Sequence, residues 1–365
     1  MSNLDQHWIY IAEPEKLINM SPLMNHLLIP FIIAMFLAIN MGGSGTGPSF
    51  SVAYGANVIK RNMIPGLFGI MVFLGAILAG KNTATTIGKE IIDPALMTFP
   101  IVSIILFSVS ISLLVANLAG IPQSTSQSTV LAVVAPAFYF HNLDSDKLFF
   151  VIIPAWFILP LFSYVISYLA GRYIYKPMRK RGLTQSRAQN ANLRPVWNGL
   201  ILAMSLYVAF SIGSNNVANA SGPVATMTAN ELHISGDKNF ILILILSTLL
   251  IAPNFAIGSS IFGNKILENT GKEIVLFGKF EAVIIAFVSA SLLLFASISK
   301  GIPTSLVQLN VAAILGIGVA KLGPSHIFKK TEVRKFFLMW LISPIIAFTL
   351  SILLTYLADR IGYLS

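Results

Sequence analysis

The chain has 365 residues, of which 55% are hydrophobic and only 10% charged, and its mean hydropathy is +0.79. That is too apolar for a soluble domain, so a multi-pass protein of the cell membrane is expected. The excess of 24 Lys and Arg over 14 Asp and Glu lies in short connections between apolar spans, where it sets orientation; no nucleic-acid partner is expected.

The absence of cysteine excludes disulfides, thiolate metal sites and cysteine nucleophiles. Residues 1–25 are acidic and lack the basic start of a cleavable signal peptide, and are expected to remain as an external segment. Apolar spans follow at His26 to Asn40, Ile64 to Ala79, Thr98 to Ala119, Ile121 to Phe140 and Leu148 to Tyr175, with a glycine-rich piece, Gly42 to Ile59, after the first. A basic loop, 177–194, separates these from a second series. Its spans are Pro195 to Ile212, Asn239 to Ile257, Leu276 to Ile298, Ile302 to Ala320 and Lys335 to Ala358, with the polar piece Gly213 to Asn230 again after the first. The two series, 26–176 and 195–365, read as an internal repeat. GKNTATTIGKEII from Gly80 aligns with GNKILENTGKEIV from Gly263, GIPQS at Gly120 with GIPTS at Gly301, and Gly42 with Gly213.

Lys and Arg are retained on the cytoplasmic side, which places the loop carrying Arg172, Lys176, Arg179, Lys180, Arg181, Arg187 and Arg194 inside, with the Lys329 to Lys335 cluster. If Gly42 to Ile59 and Gly213 to Asn230 are re-entrant and ten spans cross, Asp144, Asp146, Glu231 and Asp237 fall outside. Each repeat then crosses an odd number of times, so the two are inverted. The expected fold is all-α, with inverted-topology repeats and broken or re-entrant helices, an architecture of secondary transporters whose substrate sits where the repeats meet.

Broken helix survives at membrane depth only where protein or a polar cavity surrounds it. Four stretches qualify: GGSGTGPSFS (Gly42 to Ser51), GSNNVANASGP (Gly213 to Pro223), IPQSTSQST (Ile121 to Thr129) and IPTSLVQLN (Ile302 to Asn310). In the last two, Pro and hydroxyl residues mark helix starts, whose free N–H groups attract anions. Small residues also serve close helix packing, and one such run alone would read that way. Four at repeat-related positions favour a binding site. The apolar spans hold almost no Lys or Arg, so an anion would be held by N–H, hydroxyl and amide donors.

The GSNNVANASGP and GIPQSTSQSTV stretches resemble the duplicated signatures of the inorganic phosphate transporter (PiT) family, approximately GANDVANAxGP and GxPxSTTH, and the resemblance spans both repeats. By this resemblance Asn215 and Asn219 match family asparagines, while Asn216 stands in place of aspartate. In the first repeat Ser44, Gly45 and Pro48 replace Asn, Asp and Asn. Ser124, Thr125 and Ser126 resemble the anion-binding run, the second copy keeps only Ser305, and Gln127 and Gln308 replace two histidines. The substrate-binding set expected is Ser44, Gly45, Thr46, Ser49, Ser124, Thr125, Ser126, Asn215, Asn216, Asn219, Thr304 and Ser305.

Hydrogen phosphate has a proton to offer a carboxylate, whereas sulfate has only acceptors. Loss of both aspartates therefore favours sulfate, and the glycine-rich first repeat resembles the CysP-type sulfate permease branch of the family. The function expected is sulfate uptake by symport, with phosphate as the alternative and a passive anion channel as a further one. No cofactor is expected. The coupling ion, Na+ or H+, stays open; a cation would sit near Asn40, Asn216, Asn219 and Ser221, and Glu90, Glu273 and Glu281 read as charges at the membrane ends rather than proton carriers. The other expected partner is membrane lipid, with a homodimer left open. A membrane-embedded enzyme would need a nucleophile with its base, a carboxylate pair or a metal in the bilayer, and the sequence offers none.

Overall fold

In lipid a backbone has no hydrogen-bonding partner but itself, and the computed structural model is helical throughout, with no strand among the described residues, 22–119, 123–143, 145–180, 194–274, 278–329 and 331–364. The segment 1–21, most of the basic loop, Ile121 and Pro122 lie outside these residues, as does the side chain of Glu273.

The first repeat comprises α1 (Pro22–Gly55), α2 (Ile64–Ala79), the short α3 (Lys81–Thr85), α4 (Phe99–Ala119), α5 (Thr125–Tyr139) and α6 (Ile153–Leu169). The second comprises α7 (Arg194–Asn216), α8 (Ala218–Glu231), α9 (Asp237–Ile251), α10 (Asn254–Ile274), α11 (Lys279–Lys300), α12 (Leu306–Leu322) and α13 (Thr331–Arg360). Eight helical segments among the described residues are long and apolar enough to cross a membrane, and α12 is a shorter apolar helix. The protein is an all-α, multi-pass membrane protein.

One expected interruption is absent. Gly42 to Ser51 is helical throughout, within a 34-residue α1 that carries Pro30 and Pro48 without breaking. At 1.5 Å per residue α1 runs about 50 Å, so a single helix replaces the expected crossing plus re-entrant piece. Its repeat equivalent, α7 followed by α8, is interrupted only by a single turn at Val217, whose backbone stays in the right-handed helical region at φ −60° and ψ −33°.

Glycines set how closely α1 approaches its neighbours. A Cβ on Gly42 would strike the Phe255 carbonyl of α10, and one on Gly258 the Ile39 carbonyl of α1. In the same way Gly213 of α7 abuts the Val72 carbonyl of α2, and Gly75 the Phe210 carbonyl. Ile39 and Gly42 correspond by repeat to Phe210 and Gly213, and Val72 and Gly75 to Phe255 and Gly258. Two helix crossings are therefore copies of one, each joining a first-repeat helix to a second-repeat helix. The reciprocal pattern continues, with α5 packed on α13 and α12 on α6. The repeats interlock rather than sit side by side, and their buried faces form one large core that includes Leu37, Phe50, Phe68 and Phe255.

Candidate functional site

The first turns of α5 and α12 meet where the repeats interlock. Each is capped by a serine: the Ser124 hydroxyl accepts from the Gln127 N–H and that of Ser305 from the Gln308 N–H, both at 3.4 Å. The two glutamines are repeat-related and exchange side-chain hydrogen bonds. Gln308 Nε2 donates to Gln127 Oε1 at 2.5 Å, and Gln127 Nε2 donates back to Gln308 Oε1 at 3.3 Å. Positions that read in the sequence as replaced histidines thus form a buried seam between the repeats.

Next to this seam, Asn215 at the end of α7 uses every polar atom of its side chain. Its Nδ2 donates to Ser297 Oγ and to the Ile302 carbonyl, both at 2.9 Å. Its Oδ1 accepts from Ser126 Oγ at 3.1 Å and from the Thr304 N–H at 3.2 Å. It holds the extended stretch before α12 as a neighbouring strand would, and Trp156 Nε1 secures the same stretch through the Pro303 carbonyl at 3.0 Å. Asn219 extends the cluster, its Nδ2 donating to Ser126 Oγ at 3.3 Å. Asn215, Asn219, Ser126 and Thr304 are all buried, and none can ionise.

Three atoms here have no protein partner: Asn216 Oδ1, Asn219 Oδ1 and Thr304 Oγ1 are buried without a hydrogen bond. Most buried polar groups are paired, so these atoms hold bonding capacity that no protein group uses, as do Asn117 Oδ1 and several buried hydroxyls elsewhere. The amide oxygens accept only; the hydroxyl also donates. Thr125 is buried at the start of α5, next to Ser126.

The first-repeat candidates are placed differently. The hydroxyls of Ser44, Thr46 and Ser49 donate back to the carbonyls of Met41, Gly42 and Gly45 at 3.0, 2.7 and 2.9 Å, which satisfies them inside α1. Gly45 faces Phe68 and Ile212, and Thr46 faces Gly263. By repeat, Asn215, Asn219, Ser126 and Ser297 correspond to Ser44, Pro48, Val307 and Ala116. The polar cluster therefore exists once, not twice.

The residues named for a cation are divided. Asn40 donates to the Phe36 carbonyl at 2.9 Å and receives Asn117 Nδ2 at its own carbonyl at 2.8 Å. Asn219 reaches the adjoining Met41. Ser221, two residues on and so about 200° around α8 from Asn219, lines a separate cavity with Gly213 and Lys81. Glu281 is buried and pairs with Lys321 at 2.7 Å; Lys279, its neighbour in sequence, turns to Asn198 instead. Glu90 pairs with Lys147 at 2.9 Å.

Trp156, which reads in the sequence with its aromatic neighbours as an interfacial belt and lipid-facing packing, is instead buried; Ser297 and Asn117 were missed by sequence reasoning, because a lone polar residue in an apolar span reads as packing. So was the network in which the Ser343 hydroxyl contacts Gln123, Ser112 and Ser128. A cleft of about 330 Å³ reaches Gln123, Ser124 and Gln308 between walls that include Tyr164, Val311 and Trp340.

Comparison with known proteins places this arrangement. A family model described as the phosphate transporter family matches residues 41–351. Sulfate permease CysP of Bacillus subtilis (strain 168) is 32% identical over 339 residues, which cover 93% of this chain and 90% of that protein. A solved structure described as the sodium-dependent phosphate transporter has the same fold, with a TM-score of 0.77 and 21% identity, covering 93% of this chain and 100% of its own. With a family model that spans both repeats, the chain belongs to the phosphate transporter family.

Proposed function

We propose that the chain takes up a tetrahedral inorganic oxyanion, sulfate in preference to phosphate, by symport with a cation. Its family is one of transporters, and the chain is not an enzyme. The observation that carries the finer reading is the chemistry of the buried cluster. Asn216, Asn219, Ser126 and Thr304 present amides and hydroxyls beside the fully bonded Asn215, with no carboxylate among them. A carboxylate would repel sulfate, whereas hydrogen phosphate could give it a proton. The adjoining helix starts at Ser124 and Ser305 add N–H groups and partial positive charge. The similarity to sulfate permease CysP supports the same choice.

The unpaired Asn216 and Asn219 oxygens support cation coupling, since hard cations take oxygen ligands. The structural relative's description names sodium, which makes Na+ the first ion to test. The test is uptake of labelled sulfate and phosphate into proteoliposomes, with sodium and proton gradients imposed separately. Concentration of sulfate driven by one gradient is the expected result. Preferential concentration of phosphate would overturn the substrate, and gradient-independent equilibration would make the protein a channel.

A further inference from the structure

A second cavity, of about 380 Å³, lies where the connections after α2, before α6, before α9 and after α11 converge. Four lysines line it, Lys81, Lys89, Lys147 and Lys300, against two carboxylates, Glu90 and Asp237. The carboxylate of Glu90 is already engaged, by Lys147 at 2.9 Å and by the Thr86 hydroxyl at 2.7 Å. Lys89 lies over the Phe240 ring, 3.5 Å from its centroid. Lys81 and Lys300 are exposed, with no acidic partner among the described residues.

We propose that this cavity is an anion-collecting vestibule: a weak, outer binding site for a divalent tetrahedral oxyanion, upstream of the buried cluster. The supply role rests on the transport reading above; the binding does not. Three observations support it. The lysines converge on one concavity and outnumber its carboxylates by four to two, and low-dielectric walls around an excess of one sign focus the field and raise the local concentration of counter-ions. On the charge-based orientation this end is external, the side on which Lys and Arg are not retained, so the lysines at this end, four of them in the cavity, run against the bias. Finally, the vestibule touches the path inward. Gly301, in the left-handed region at φ 61°, packs its backbone against the Asn82 carbonyl and Thr86 Oγ1, while Asn82 Nδ2 donates to the Ile298 carbonyl at 2.7 Å. Gly301 opens the stretch whose Thr304 N–H meets Asn215, and four extended residues span at most about 14 Å.

The binding is tested on the purified full-length protein by labelling with an amine-reactive reagent, read lysine by lysine by mass spectrometry. Sodium sulfate should slow labelling of Lys81 and Lys300 relative to sodium chloride at equal ionic strength. Lys238, exposed near the same end but outside the cavity, should not respond. Equal rates in the two salts would overturn the site. The supply role is tested by K81Q/K300Q, which should raise half-saturating sulfate about 3- to 10-fold at unchanged maximal rate, while K238Q leaves both unchanged. Protection without a kinetic change, or an equal effect of K238Q, would overturn that role. If the wild type moves no oxyanion, the transport reading fails, and the labelling still decides the vestibule.

Discussion

Asn215 and Asn216 adjoin in sequence, the first matching a family asparagine and the second replacing an aspartate, and their surroundings assign them opposite work. Asn215 spends all its bonding capacity on Ser297, Ile302, Ser126 and Thr304, whereas Asn216 keeps a buried oxygen unpaired. Asn215→Ala would strand several buried groups, each costing about 1 to 3 kcal/mol, so a clear fall in the detergent melting temperature is expected. Thr304→Val removes a hydroxyl that bonds nothing, so the melt should hold while oxyanion uptake falls. Equal melting losses in the two variants would refute this division of roles. Asn216→Asp probes the missing carboxylate itself. If Asn216 faces the anion, acceptor then meets acceptor, and sulfate affinity should drop at least about 5-fold, the equivalent of roughly 1 kcal/mol at an unsatisfied buried site. Hydrogen phosphate, with a proton to give, should lose much less. Competition of both anions against labelled sulfate separates the cases, and an unchanged ratio with altered ion dependence would make Asn216 a cation ligand instead.

The elements carry a different lesson, in which small residues divide between packing and chemistry. Gly75 and Gly258 stand at the repeat-related crossings against the carbonyls of Phe210 and Ile39, so Gly75→Ala and Gly258→Ala should force the helices apart and reduce monodisperse protein on fluorescence size-exclusion. Gly55→Ala, at a position open to space, should elute as the wild type does. Sequence reasoning found the all-helical, multi-pass character because hydropathy is local, but it expected ten crossings where eight segments among the described residues are long and apolar enough. It also found the α5 and α12 starts, because Pro and Ser mark a helix N-terminus by residue type. It could not tell that Gly42 to Ser51 packs as continuous helix. That outcome depends on a partner helix more than 200 residues away, which no local pattern reports. The same blindness hid Ser297, Trp156 and the seam made by Gln127 and Gln308, since each acquires its role from a distant backbone or side chain.

Across the whole molecule, interlocked repeats tie sidedness to parity. A single α1 crosses once, as would one crossing followed by a re-entrant piece, so the connections fall on the same faces either way. The structure gathers Lys81, Lys147, Asp237 and Lys300 around one cavity, while Glu281 and Lys321 pair beside Tyr175 elsewhere, and the charge-based topology assigns these two groups to opposite faces. Which face is cytoplasmic follows from the basic loop, whose lysines and arginines resist translocation. Substitution of single cysteines tests this against a clean background, because the chain has none of its own. S2C should react with an impermeant thiol reagent in whole cells, and Q185C only after permeabilisation. Labelling of Q185C alone from outside would invert the molecule. The four-lysine cavity would then face the cytoplasm, where it would retain an anion on release rather than gather one for entry.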